Sequence, residues 1–327
     1  MLLKRLLPIC LIVLVLAGLI YLRQPQTDGQ VSRTALIMGT VVDIRAYGED
    51  NKQLEQAVTA AFEEMSRVEQ LFSSHIAESE ISRLSAATES LSLSPEVIRL
   101  LQMGQQIGAD TSGAFNMSLG ALKDLWQIEG EEPHIPSEQE LSAVLKKTGS
   151  GALTIVDDKV IKSKADLKID LGGIAKGYAV DRAVSVLRQA GVTSATVNAG
   201  GDIALLGDKQ GRPWRIGIQH PRQTNDLLVT LQLKDQAVVT SGDYERFFER
   251  DGIRYHHIFD PVSGKPARQC QSVTVVAADA ASADALATAA FVLGPDAGLK
   301  LLEGLSNVEG LLVSADGKLM KTSGLPE

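Results

Sequence analysis

Residues 168–192, KIDLGGIAKGYAVDRAVSVLRQAGV, decide how the chain reads. The stretch predicts a short strand, a turn on two glycines, and a helix. Its apolar face uses Ala179, Val180, Ala183, Val184, Leu187 and Ala190 at helical spacing, and Gly191 closes it. Beyond the helix lies a run of strand-like segments, TSATVNAGGDIALLG, WRIGIQHP, LLVTLQLKDQAVVTSG and IRYHHIFDP, parted by Gly, Pro and Asp turns. Strands grouped beside long helices, without a regular βαβ alternation, predict an α+β architecture over a doubly wound sheet. No internal repeat is found.

Working back toward the N-terminus, TALIMGTVVDIRAYG from Thr34 reads as a strand or hairpin broken at Met38, Gly39 and Thr40. In LEQAVTAAFEEMSRVEQLF the residues Leu54, Ala57, Val58, Ala61, Met65, Val68 and Leu71 recur at helical spacing. A second helix is predicted from Pro95, with Ser94 as its N-cap. IEGEEPHIPS reads as a surface loop, since helical EQELSAVLKKTG and strand-like ALTIVDDKVIKS come directly after it.

The chain has 327 residues, 44% of them apolar, enough for a substantial core. A formal charge of -8 and the absence of a Lys/Arg-rich run beyond the N-terminus argue against a nucleic-acid partner. Two cysteines, Cys10 and Cys270, make no disulfide framework. Lys4 and Arg5 precede an apolar run from Leu6 to Leu22, broken by Pro8 and Gly18. Residues 1–24 therefore read as a signal peptide or a membrane anchor. The anchor is the preferred reading, because the run is not succeeded by an A-x-A cleavage site. Cys10 makes no lipid-modification site, since LLPI before it lacks the small pair such a site needs. Residues 25–33 read as a tether and 34–327 as the folded domain. Positive residues stay cytoplasmic, which would put that domain on the periplasmic side of a bacterial inner membrane.

Several short stretches carry candidate chemistry. In SADALATAAF, residues 282–291, Asp284 and Thr288 are four apart and share one helix face. They are either a dipole-complementing acid and a back-bonded hydroxyl, or oxygen ligands for a hard cation. DLGGIAKG, residues 170–177, lets backbone approach a ligand and turns helix N–H groups toward a phosphate beside Lys176, or simply makes a tight turn. It has neither Walker nor dinucleotide spacing. In RYHHIFDPVSGKPA, His256 and His257 point to opposite faces of a strand, so at most one enters a site. There a neutral imidazole suits general-base work. No zinc spacing and no G-x-S-x-G elbow occur. Phe115 and Trp126 read as core residues, and Thr-Ser-Gly at 240–242 as turn chemistry or a ligand contact.

In chain order, MGT, SGAFN, DLGGIAKGYAVD, VNAGGDI, TSGDYERFF, HHIFDPVSGKP and ADALATA resemble the ApbE family, the FAD:protein FMN transferases. The resemblance spans the chain from about Thr34 onward. It implies a T-fold-related architecture of mixed sheets flanked by helices. It also implies a magnesium-dependent enzyme that cleaves FAD, joins the FMN half to a Thr or Ser hydroxyl of a target protein and releases AMP. Membrane redox subunits are the typical targets. Carried residue by residue, it makes Asp284, Thr288 and the carbonyl of Ala175 magnesium ligands. His257 joins Asp284 as a catalytic residue. Met38, His75, Ala114, Phe115, Asn116, Lys176 and Asp181 fall in the FAD-binding set. Asn116 stands where relatives often have Asp, and His75 occupies a variable aromatic position. Two other readings of the same pocket are a periplasmic flavin carrier and an FAD pyrophosphatase giving FMN and AMP.

Overall fold

The computed structural model describes residues 29–325 except 150 and 224. The expected signal or anchor, residues 1–24, lies outside the described residues. No helix among those described is long and apolar enough to cross a membrane.

The chain opens with a hairpin, β1 (Gly29–Ile37) and β2 (Thr40–Gly48), in register from Gly29 opposite Gly48 to Ile37 opposite Thr40. Met38 and Gly39 form its tip, both left-handed at φ 55° and 69°. Such a two-residue turn matches the twist of the strands it joins. β1 begins inside the stretch read as a tether. Polar Gly29–Arg33 can pair because Val31 is buried and the Arg33 guanidinium lies over the Phe62 ring. Helix α1 (Asn51–Phe72) comes next, capped by Asp50, whose side chain accepts from the N–H groups of Lys52 and Gln53.

After it come α2 (Glu80–Ala86), β3 (Ser90–Ser92), α3 (Pro95–Asp110), α4 (Gly120–Trp126) and α5 (Glu138–Leu145), then the small hairpin β4 (Leu153–Val156) and β5 (Lys159–Lys162). Ser94 does stand at the N-cap of α3, but its side chain makes no capping bond. Helix α6 (Ala175–Gln189) ends where expected, with Gly191 at φ 82°. The strand predicted just before it does not form. Residues 168–170 pair instead with the loop ahead of α4, through Asp170 N–H to Met117 O (2.9 Å) and Gly120 N–H to Lys168 O (3.3 Å). Ile169 and Leu171 are buried all the same, which is why the segment reads as a strand.

The remaining elements are β6 (Ser194–Ala199), β7 (Asp202–Leu206), β8 (Trp214–Gln219), β9 (Leu227–Leu233), β10 (Ala237–Gly242), β11 (Phe247–Arg250), β12 (Ile253–His256), β13 (Cys270–Ala277), α7 (Ala280–Leu293), α8 (Pro295–Glu303), β14 (Glu309–Ser314) and β15 (Leu319–Lys321). One eight-stranded sheet runs in the order β1-β2-β6-β7-β10-β13-β14-β15. Each of its ladders is antiparallel, so the α+β class and the flanking helices hold but the sheet directions are not mixed.

Alternation sorts the two faces. Ala204, Leu206, Val239, Val273 and Val275 face the core shared with α1, α6 and α7, whereas Leu205, Val238 and Val276 face the β8–β9 hairpin with Trp214, Leu231 and Leu233. Helix α7 lies inside the first layer with ten residues buried, nearly all small. A helix apolar all round belongs in a core. Its buried Asp284 is therefore the anomaly that marks the site.

Candidate active site

The site forms where α6 crosses α7. Gly177 makes the crossing tight: a Cβ there would stand 2.2 Å from the carbonyl oxygen of Ala280. Its N–H donates to Asp284 Oδ2 at 3.1 Å. One turn earlier, a Cβ on Gly173 would meet Thr288 Oγ1 at 3.0 Å and the Phe115 ring at 3.3 Å. Ala175 lies between these contacts, so the first turn of α6 runs along the face that carries Asp284 and Thr288. Ser241, near the end of β10, approaches Thr288, with the two hydroxyl oxygens 3.4 Å apart.

Charge concentrates here. Lys176 Nζ is 3.0 Å from Asp202 Oδ1, and that aspartate is fully buried at the start of β7. Neither Asp202 oxygen receives a hydrogen bond of good geometry. Burial pushes Asp284 well above the usual carboxylate range, Asp202 adding to the effect and Lys176 opposing it. Burial also raises Asp202 against the pull of Lys176, and Glu245 likewise. For Lys176, burial works against the charge, but Asp202 and Asp284 outweigh it and hold the ammonium protonated. A buried acidic group of this kind, around a lysine, is short of positive charge.

His257 comes directly after β12. Its Nδ1 lies 3.3 Å from Arg246 O, and burial, helped by the Arg246 charge, pulls its pKa down to about 3. The ring is therefore neutral. With Nδ1–H donating to that carbonyl, Nε2 keeps a free lone pair. His256 is committed elsewhere. Its Nε2 contacts Ala267 O at 2.6 Å, its Nδ1 accepts from Ile258 N–H, and its ring meets Phe291 edge-on. The two histidines do part company, as strand alternation requires.

A family model, that of the ApbE family, matches residues 38–312. The chain belongs to the ApbE family. It is 34% identical over 320 residues to the FAD:protein FMN transferase of Treponema pallidum, covering 90% of this chain and 88% of that one. The crystal structure of the ApbE protein from Thermotoga maritima superposes with a TM-score of 0.84 at 36% identity, over 90% of this chain and 97% of that one. Flavin transferase ApbE from Vibrio cholerae superposes at 0.80 and 31%, over 90% and 98%.

Within this ApbE fold the other residues singled out in the sequence take definite places. Met38 N–H donates to Glu69 Oε1 in the last turns of α1, and His75 is exposed just past the end of that helix. The hairpin tip and His75 thus share one end of α1. Ala114 and buried Phe115 form a turn held by Thr111, and the Phe115 ring reaches Gly173. Asn116 turns its Oδ1 to the N–H and hydroxyl of Ser118. Asp181, expected in the FAD-binding set, has both carboxylate oxygens occupied by backbone: Ala280 N–H at 2.8 Å and Ala281 N–H at 2.9 Å.

The phosphate cradle expected of the glycine turn is also engaged within the fold. Gly172 N–H goes to Asp170, Ala175 N–H to Leu171 O and Gly177 N–H to Asp284. Sequence reasoning reached Ser241 only as part of a turn or ligand contact and passed over Asp202 and Glu245. They sit in the motifs VNAGGDI and TSGDYERFF, and the acid directly behind the double glycine of VNAGGDI was the available signal. Trp126 is core, its Nε1–H bonded to Gly264 O.

Proposed function

We propose that this chain transfers the FMN moiety of FAD to a Thr or Ser hydroxyl of a target protein and releases AMP. The observation that carries the reading is the buried acidic group around Lys176, at the crossing of α6 and α7. Asp202 receives no well-formed hydrogen bond, Asp284 accepts one from Gly177, and positive charge is in deficit. A phosphate ligand alone would worsen that deficit. A divalent cation arriving with a pyrophosphate relieves it.

Among the described residues no three His, Cys, Asp or Glu side chains converge to hold a metal by themselves. The donors at the crossing are oxygens of three kinds, and this suits magnesium, which takes few protein ligands and keeps water and phosphate in its other positions. Asp284, Thr288 and the carbonyl of Ala175 would hold it, and when bound it supplies Lewis-acid withdrawal of charge from the phosphoryl oxygens. Lys176, already paired with Asp202, would neutralise a phosphate oxygen. His257 Nε2 takes the proton of the acceptor hydroxyl. That oxygen then bonds to the FMN phosphorus, the bridging bond to the AMP phosphate breaks, and AMP leaves with the bridging oxygen.

The acceptor belongs, in this reading, to a redox subunit of a bacterial inner membrane complex, reached from the periplasmic side. The motivation is the Lys4/Arg5 pair ahead of an apolar run. The test is incubation with FAD and magnesium, with and without a purified target domain. AMP release that requires the target, with FMN bound to it covalently, supports transfer. AMP release without the target identifies a pyrophosphatase, and FAD binding with no AMP a carrier. Either outcome overturns the proposal.

A further inference from the structure

We propose that Asp181 is a positioning residue which fixes the register of α7 against α6, and with it the placement of Asp284 and Thr288 relative to the first turn of α6. The inference rests on the metal site of the proposed function.

Helix α7 begins with two N–H groups, on Ala280 and Ala281, that its own N-cap does not serve. Asp279 takes the third, Ser282 N–H at 2.7 Å, together with the Ser282 hydroxyl. The first two are held across the helix interface by the two oxygens of Asp181. Asp181 is four residues beyond Gly177 on α6, so both lie on the face turned toward α7. Gly177 admits the Ala280 carbonyl and binds Asp284. The two helices are therefore joined at two points one turn apart, and Asp284 and Thr288 stand further along α7 at intervals of about 6 Å.

Ordinary packing does little of this work. Seven alanines, at 280, 281, 283, 285, 287, 289 and 290, are buried in α7. A surface of methyl groups gives shallow ridges that resist sliding poorly. The carboxylate clamp supplies the register that side-chain interlocking does not.

A residue that merely capped α7 would change stability and leave cation affinity alone. The deciding measurement uses Mn2+ as the probe, its binding to the full-length protein followed by electron paramagnetic resonance, with thermal melting to confirm folding. Asp181→Ala is expected to weaken Mn2+ binding about tenfold, the low end for loss of a group that orients a ligand. Saturating metal should restore FMN transfer, with FAD affinity at saturating metal unchanged. Asp181→Asn keeps one acceptor oxygen and should fall between. Asp284→Ala is the control and should abolish binding beyond rescue.

Wild-type Mn2+ affinity in folded Asp181→Ala, with binding lost in Asp284→Ala, overturns this inference and leaves the metal site standing. Wild-type affinity in Asp284→Ala removes the metal site and this inference with it. Should Asp181→Ala fail to fold, Asp181→Asn decides: unchanged affinity in that variant overturns the proposal.

Discussion

Gly177 donates its N–H to Asp284 across 3.1 Å, while its Cα lies so close to Ala280 that a Cβ would fall 2.2 Å from the carbonyl oxygen. The two helices of the site thus meet backbone to backbone. Gly177→Ala must push them apart, since the obstacle is main chain and cannot rotate away. Overpacking of this kind costs about 1–3 kcal/mol. The variant should melt several degrees lower and lose most FMN transfer, and excess magnesium should not restore it. Near-normal activity would mean that the helices tolerate separation.

Asp284 and Thr288 should matter unequally. Asp284→Ala deletes the charged member of the ligand set and should nearly abolish transfer at any magnesium concentration. Thr288→Ala removes a neutral oxygen, so raising magnesium should recover part of the activity. If the pair served only as cap and back-bond, each variant would lose about 1 kcal/mol of stability and keep the wild-type magnesium curve. Transfer to a target peptide, measured against magnesium for both folded variants, separates the two accounts.

His257→Ala should slow transfer about 100-fold or more with FAD affinity kept, the usual scale for a lost general base. Its ordinary pKa would set an acid limb near neutrality, but burial brings the pKa to about 3 in the free enzyme. The limb moves accordingly. Plots of kcat/KM at saturating magnesium should show no limb belonging to His257 between pH 8 and pH 6, so that wild type and His257→Ala have profiles of the same shape there. A limb between pH 6 and 7 that disappears in His257→Ala would place the ring in a far wetter setting.

His256 predicts an acid sensitivity of the fold itself. Burial lowers its pKa to about 4, and both ring nitrogens serve backbone groups in the neutral form. Above about pH 6.5 the ring is neutral folded or unfolded, so it contributes no pH dependence. As pH falls from there toward 4 the unfolded chain takes up a proton that the folded one refuses, and stability declines, by about 3 kcal/mol at full effect. His256→Gln retains a donor and an acceptor without titrating. It should lower the Tm at pH 8 yet flatten the fall between pH 6.5 and 4.

Period and punctuation made much of the fold legible. The tip at Met38 and Gly39, the apolar stripe of α1 and the glycine after α6 each arise from local rules. Residues 168–170 misled because buried Ile169 and Leu171 alternate with polar neighbours as in a strand, whereas the segment pairs with a loop, a partner that periodicity does not see. Strand β13 is buried along its whole length, so it carries no alternation to read. In the site, the pairing of Asp284 with Thr288 is a matter of helical spacing. Asp202 and Glu245 are not legible in that way, since their significance lies in facing Lys176 from other strands and turns. The bonds Asp181 makes were not legible either, because the N–H groups it holds are 99 and 100 residues away.

That same separation constrains how the protein comes into being. Hairpin β1–β2 closes through neighbours and can form early, whereas the bonds from Asp181 to Ala280 and from Gly177 to Asp284 span 99 and 107 residues. Both bonds wait on α7, which is made after every strand through β13. A nascent chain released before Ala280 has made most of its sheet but carries no pocket, and its open α6 surface presents Gly177 and Asp181 to whatever helix it meets first. Activity in this fold therefore waits on α7 and arrives all at once, when that helix slides home.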